Sequence, residues 1–331
     1  MDVRLNAGQP LVSVVTPVYN GASFLEASIE SVLSQTWSNW ELVIVDNAST
    51  DTTSEVISRF ASGDPRFRVF RNERTVNILE NHNIAVGRIS ASSKYCKILQ
   101  ADDSLFPECL EKMVAVAEAH ASIGIVSALA HAGSRLVGTG LPRDRSFYEG
   151  RDVARRTLLG ETYPFWSPSC LMHRSAAVTE RQPFWNEQDL HADVQSSYEI
   201  LRRWDFGFVH EPLMTIGVHR DSTTSVVAKP MKKLLSANLD HLGRYGPEFL
   251  SADELAARTQ QQLDDYYRNL AKSAFEWRGL EFWRFHRQAL RKAGHPMSVT
   301  RLLGSLLSRF ASSPLTCCRS LARAALKRKS A

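Results

Sequence analysis

The 331-residue sequence predicts an α/β fold: a mostly parallel central sheet flanked by helices, with a helical extension at the C-terminal end. Three observations carry this. Short apolar, β-branched runs alternate with segments of helical periodicity through the first third of the chain. Hydrophobic residues make up 44%, enough for a buried core, which excludes a disordered or collagen-like polymer. Beyond about residue 230, strand signals give way to amphipathic helical spacing.

The elements follow in order. Leu11 to Pro17 (LVSVVTP) reads as a buried strand, and Ala22 to Gln35 as a helix with Phe24, Leu25, Ile29, Val32 and Leu33 at helical spacing. A second strand, Glu41 to Val45 (ELVIV), precedes the turn-forming DNASTD and an amphipathic helix from Thr52 to Phe60. Phe67 to Phe70 makes a third strand, Asn77 to Val86 a third helix, and Tyr95 to Leu99 (YCKIL) a fourth strand ending in QADDSLFP. Residues 108–120 read as a helix and 123–128 as a strand, while 129–165 are mixed. CLMHR is a further strand; an acidic helix, NEQDLHADVQSSYEILRRW, then leads to two strands, FGFVH and LMTIGVH. Helices follow to the end, including FEWRGLEFWRFHRQALRK, with no internal repeat.

Composition narrows the partners. No run approaches 18 apolar residues and MDVRLNAGQP lacks a basic-then-apolar leader, so a cytoplasmic chain without a membrane span is expected. Five cysteines (Cys96, Cys109, Cys170, Cys317, Cys318) without metal-ligand spacing point to reduced thiols. The net charge of +5 hides an asymmetry: residues 272–331 hold 13 Lys and Arg against Glu276 and Glu281, a segment of +11 that leaves the remainder at −6. Within it Val299, Leu302, Leu303, Leu306, Leu307 and Phe310 form an apolar stripe with Arg301 and Arg309 off it, a pattern suited to an anionic membrane surface. A helical cap on the domain or a frayed cationic end would read the same way. Nucleic acid is not expected, since no aromatic stacking platform accompanies the charge. The patch Phe275, Trp277, Phe282, Trp283 and Phe285 suits either its own core or a second copy in a homo-oligomer.

Asp46 after the second strand and Asp102-Asp103 after the fourth fall where ligands bind in such sheets, beyond the carboxyl ends of the strands. Paired carboxylates offer hard oxygens for Mg²⁺ or Mn²⁺; an ordinary helix cap before Pro107 is the plainer reading.

The stretch TPVYNGASFLEASIESVLSQTWSNWELVIVDNASTDTT resembles the opening of family-2 glycosyltransferases, with their P-x-Y-N turn, S-x-x-x-Q-x-x helix end and V-D-x-x-S-x-D loop. KILQADDSLFPECLEKM resembles the family's D-x-D region, HAD at 191–193 its acidic base motif, and VHRDSTTS at 218–225 its late histidine loop. The resemblance covers residues 11–225. It implies a GT-A fold over residues 1–228, with a donor-binding half at 11–105 and an acceptor-side half at 106–228, and a basic helical region at 229–331. It also implies a nucleotide-diphosphate sugar donor, most often a UDP-sugar, inversion at the anomeric carbon, and a Mn²⁺ or Mg²⁺ cofactor.

Carried over residue by residue, the resemblance gives Asp46 the nucleobase, Pro17, Tyr19 and Asn20 the wall beneath base and ribose, and Arg71 the base or diphosphate. Asp102 becomes the metal ligand at the donor, with Asp103 and His219 as further ligands, and Asp193 the catalytic base. Trp166 to Ser169 would line the acceptor side, and residues 218–228 would order over the donor. Two positions depart from the pattern: Gln100 stands where the first D-x-D acid is usual, retaining a hydrogen bond to ribose but no charge, and Ala192 replaces an acid beside Asp193. The expected function is sugar transfer to a saccharide or lipid-linked acceptor in cell-surface glycan synthesis, peripheral to the inner face of the membrane. The two departures leave a non-catalytic nucleotide-sugar-binding protein as the alternative.

Overall fold

The structure, a computed structural model, describes residues 8–189, 191–219, 228–276, 278–312 and 314. The chain divides after His219 into two compact units.

The first unit opens with β1 (Val12–Val18), α1 (Ala22–Leu33), β2 (Trp40–Asp46), α2 (Thr53–Ala61), β3 (Phe67–Arg71), α3 (Ile78–Val86) and β4 (Tyr95–Ile98). It continues through β5 (Ser104–Leu105), α4 (Cys109–Ala119), β6 (Ile123–Ala132), β7 (Arg135–Val137), β8 (Phe147–Tyr148) and α5 (Gly150–Leu159). A 3₁₀ turn at Pro168–Cys170, β9 (Leu171–Arg174), α6 (Ser175–Thr179), α7 (Ala192–Leu201) and β10 (Asp205–Ile216) complete it. The sheet runs β3-β2-β1-β4-β9-β6-β10-β5, with β7 on β6 and β8 on β10. β3, β2, β1 and β4 are mutually parallel, and β6 and β10 are parallel to each other; β9 runs antiparallel between β4 and β6, and β5 antiparallel to β10. Six of the eight strands on the main path therefore point one way, and the expected mostly parallel sheet stands as a mixed one.

Every residue of β1, β2 and β4 is buried, as strands covered by helices on both faces require. Val12, Val14, Leu42 and Ile44 pack with Leu25, Ile29 and Val32 of α1 and with Leu110, Met113 and Val114 of α4 in one apolar core. Removing a side chain such as Leu25 or Ile44 from such a core costs about 2–5 kcal/mol. Helix α3 starts at Asn77, whose side chain accepts the Glu80 N–H at 2.9 Å, so this helix is fixed at the end that faces the strand ends.

Two readings change. The acidic helix begins only at Ala192, because Asn186 and Asp189 hold their own backbone in turns: Asn186 Oδ1 accepts from the Gln188 N–H at 3.2 Å and Asp189 Oδ1 from the His191 N–H at 3.0 Å. The two strands expected at 205–219 are one, β10, whose pairing with β6 slips on either side of Pro212. Proline lacks a ladder N–H, and the irregularity absorbs it without ending the strand.

The second unit contains α8 (Lys233–Phe249), α9 (Ala252–Phe275), α10 (Leu280–Lys292) and α11 (Val299–Ser312). α9 is started by a capping box between Ser251 and Glu254. Leu239, Leu263, Tyr266, Tyr267, Leu270, Phe282 and Leu290 form its own core, with Trp283 and Leu302 against it. Phe282 and Trp283 of the aromatic patch thus pack on this unit itself; Trp277, Cys317, Cys318 and the basic end beyond residue 314 lie outside the described residues. No described helix is long and apolar enough to cross a membrane.

Just past β10, a Cβ on Gly217 would lie 2.4 Å from the Asp102 carbonyl oxygen and 3.1 Å from its Oδ2. Gly217→Ala is therefore expected to cost about 1–3 kcal/mol in denaturant unfolding, as overpacking against backbone does. Gly243→Ala, on α8 with nothing within 4 Å, is expected to gain up to about 1 kcal/mol.

Candidate active site

The parallel register brings the predicted donor-side residues to one edge of the sheet. Val18 pairs with Asp46 and Asp46 with Arg71, so Tyr19, Asn20, Asp46 and Arg71 emerge from three neighbouring strand ends. Pro17 is buried within β1, Tyr19 is exposed, and Asn20 takes a left-handed backbone, φ 48°. The two loops at this edge are laced together: the Asn20 N–H donates to Ser49 Oγ at 2.9 Å, the Thr50 N–H to Asn20 Oδ1 at 2.8 Å, and the Gly21 N–H to Thr53 Oγ1 at 2.9 Å.

Asp46 is 2% exposed and fully engaged. One oxygen accepts the Ser49 N–H at 2.9 Å; the other pairs with the Arg71 guanidinium, which also donates to the Ser49 carbonyl at 2.8 Å. Arg71 and Asp46 are cross-strand neighbours, which explains the pairing.

At the end of β4, Gln100 is held on both sides. Its backbone N–H donates to Ser169 Oγ at 2.9 Å, and its side-chain amide nitrogen lies 3.0 Å from His82 Nε2. His82 Nδ1 is 2.6 Å from the Ile78 carbonyl, which can only accept, so Nδ1 carries the proton and Nε2 receives the Gln100 amide. Burial keeps His82 below the usual histidine range, hence neutral. Beneath lies Lys97, wholly buried, its ammonium donating to the Ser169 carbonyl; burial lowers its pKa.

Asp102 and Asp103 diverge. Asp102 Oδ2 meets His219 Nε2 at 2.8 Å, each side chain about a quarter exposed, and Phe24 of α1 stacks on the His219 ring at 4.7 Å. Asp103, expected as a further ligand, is turned inward at 3% exposure and accepts the Gly217 N–H on Oδ1 at 2.8 Å. Burial, with the Asp102 charge added, pushes its pKa up to about 7 against the pull of Ser169, Gly217 and Lys97. Among the described residues no group of three or more His, Cys, Asp and Glu side chains is arranged to hold a metal ion. What the site offers a divalent cation is a carboxylate and an imidazole side by side, a donor pair that fits Mn²⁺ better than the oxygen-seeking Mg²⁺, with a diphosphate to supply the remaining oxygens.

Asp193 sits in the first turn of α7, half-buried. Burial raises its carboxyl to about 6; hydrogen bonds from the helix N-terminal N–H groups oppose the rise and Asp189 adds to it. Contacts tie this turn to the donor edge. Trp185 donates from Nε1 to Ser196 Oγ at 3.1 Å, one turn beyond Asp193, and its ring lies 4.7 Å from His82, which holds Gln100. Trp185 is also clamped to Asn83 of α3 by reciprocal 2.8 Å bonds. Residues 220–227 of the expected closing loop lie outside the described residues.

The residues missed from sequence are His82, Lys97, Trp185 and Gly217, and Ser169, expected on the acceptor side, also holds Gln100. Their roles depend on partners far along the chain: Ser169 is 69 residues from Gln100 and Gly217 is 114 from Asp103. The signal that was readable for Lys97 and Ser169 is position, since Lys97 shortly precedes the QADD segment and Ser169 closes WSPS.

Comparison with known proteins bears on the fold and the family. S. aureus TarS 1-349 in complex with UDP-GlcNAc superposes with a TM-score of 0.63 at 14% identity, covering 86% of this chain and 80% of that one. The mannosyltransferase PcManGT from Pyrobaculum calidifontis in complex with GDP-Man and Mn²⁺ gives 0.57 at 18%, covering 97% and 87%. The fold is thus GT-A, as the motifs implied. In sequence, TuaG of Bacillus subtilis, named as a candidate teichuronic acid biosynthesis glycosyltransferase, is 36% identical over 106 residues, 32% of this chain. The chain spans 41% of TuaG, less than half its length. The family model for glycosyl transferase family 2 matches residues 13–180, from the first strand through Asp46, Gln100 and the Asp102-Asp103 turn to the segment after β9. The chain belongs to glycosyl transferase family 2.

Proposed function

We propose that residues 1–228 form an inverting transferase domain that moves a sugar from a nucleotide diphosphate, a UDP-sugar in the first instance, to a saccharide or lipid-linked acceptor in surface glycan synthesis. The observation that carries this is the pairing of Asp102 with His219 across 117 residues at the edge where Asp46, Arg71 and Gln100 also emerge. A divalent cation would be held there by Asp102 and His219 with the donor diphosphate, and its chemistry is to offset charge growing on the leaving group. Tyr19 and Asn20 support base and ribose. Arg71 gives the donor edge a cation, and Gln100, aligned by His82, offers its amide oxygen to a sugar or ribose hydroxyl.

On the acceptor side Asp193 takes the proton as the acceptor hydroxyl attacks the anomeric carbon opposite the leaving diphosphate. Its pKa of about 6 suits this: the carboxylate is mostly ionised at neutral pH, yet basic enough to accept. The missing acid at Ala192 leaves this carboxylate without a charged sequence neighbour on that side. Anionic membrane is the expected surface of the C-terminal unit: on α11 Val299, Leu303, Leu307 and Phe310 are 48–71% exposed along one stripe, in a segment of net charge +11.

Asp193→Asn should lower the rate roughly 10²–10⁴-fold with nucleotide affinity unchanged; equal rates would favour the non-catalytic binding protein. For the wild type, kcat/KM is expected to fall about tenfold per pH unit below about 6, because protonation of a base whose pKa is raised removes its function as pH drops through that value. Asp102→Ala and His219→Ala should each raise the Mn²⁺ concentration for half-maximal activity by at least the roughly 10–100-fold that loss of an outer partner costs. An unchanged requirement would reject the pair as ligands. Leu303→Glu with Leu307→Glu should abolish flotation with anionic vesicles, and persistent flotation would remove α11 from the membrane contact.

A further inference from the structure

Between β8 and β9, the segment from Tyr163 to Cys170 is pinned at several points. The Ser127 hydroxyl donates to the Pro164 carbonyl at 2.9 Å. Phe165, wholly buried, sets its ring edge-on to Tyr198 of α7 at 6.0 Å and to Phe206 of β10 at 5.9 Å. Ser167 caps the 3₁₀ turn, and Ser169 takes the Gln100 N–H on its hydroxyl and the Lys97 ammonium on its carbonyl. A loop fixed this firmly can hold a large side chain in solvent at a defined place. It does so with Trp166, 37% exposed although both its neighbours are partly or wholly buried.

The segment that carries Trp166 touches both the Gln100 turn and α7. Three residues after the tryptophan, Ser169 touches Gln100 of the donor edge. One residue before it, Phe165 packs on α7, whose first turn carries Asp193. Tyr163, edge-on to the Trp166 ring at 6.2 Å, feels that carboxylate: burial first, and then the Asp193 charge, raise its phenol above the usual range. The Arg135 guanidinium, at the start of β7, lies over the indole at 5.6 Å from the ring centroid. Arg135 is exposed and has no acidic partner among the described residues. A guanidinium held over an aromatic face keeps the N–H donors of its own plane free to pair with a carboxylate or phosphate.

Resting on the transferase reading, the geometry points to Trp166 and Arg135 as the acceptor subsite, and to a sugar bearing an acidic group as the acceptor residue it takes. The apolar face of the sugar ring covers the exposed indole, and its carboxylate or phosphate meets Arg135. The hydroxyl to be glycosylated then faces Asp193.

The test uses the full-length protein with UDP at saturation, so that the nucleotide site is filled. Methyl β-glucuronide, glucose 6-phosphate and methyl β-glucoside are titrated by saturation-transfer NMR. At least one acidic sugar should bind about tenfold more tightly than the glucoside, and which one does so identifies the acidic group. Arg135→Gln should bring the acidic sugars to the glucoside's affinity. Trp166→Ala should weaken all three about tenfold, while Trp166→Phe, which keeps an aromatic face, should restore most of the loss. UDP affinity, followed by calorimetry, should be unchanged in every variant. Equal binding of acidic and neutral sugars by the wild type, or full binding by Trp166→Ala, would overturn the subsite. Failure of the wild type to bind any of UDP, GDP and dTDP would instead count against the transferase reading.

Discussion

One hydrogen bond, from the Gly217 N–H into the buried Asp103 carboxylate, joins the two parts of the chain that make the donor edge. It turns Asp103 inward, which leaves its neighbour Asp102 facing outward to His219 two residues beyond the glycine. No side chain fits at residue 217, since a Cβ there would strike the Asp102 carbonyl. Holding a carboxylate in this interior is unfavourable, and the neutral form gains accordingly. The strain is offset by Ser169, Gly217 and the buried Lys97.

The same principle, polar groups buried only where a partner is ready, links the edges expected to take donor and acceptor. Gln100 in place of an acid would be an ordinary loss of charge were it not for His82, whose tautomer is set by the Ile78 carbonyl and which in turn sets the orientation of the amide. His82 lies against Trp185, and Trp185 reaches the helix of Asp193. The groups expected to bind the nucleotide sugar and the group expected to activate the acceptor are therefore held by one continuous set of contacts inside the first unit.

Much of this fold was legible because parallel strands buried on both faces read as unbroken apolar runs, as in Val12–Val18 and Trp40–Asp46. Acids at the ends of such runs fall at one edge, which is why Asp46 and the Asp102-Asp103 pair could be placed together. What could not be read was direction. The motif ranked Asp102 first but gave no sign that Asp103 turns inward, a difference made by a glycine 114 residues away. The polar stretch before Ala192 has helical composition, yet Asn186 and Asp189 compete for its backbone and stop it. FGFVH and LMTIGVH read as two strands because the irregularity at Pro212 that joins them is defined by pairing with β6.

The salt link between Asp46 and Arg71 has an electrical consequence. With that carboxylate cancelled by its neighbour, an uncharged amide at position 100 and Asp103 only partly ionised near neutral pH, Asp102 faces incoming anions with little help from other negative charge. On the proposed reading, a pyrophosphate would approach a nearly neutral floor instead of a cluster of carboxylates. The same economy would leave a dication fewer fixed charges to hold it in the absence of nucleotide, so that the proposed ion and phosphate would strengthen each other's residence.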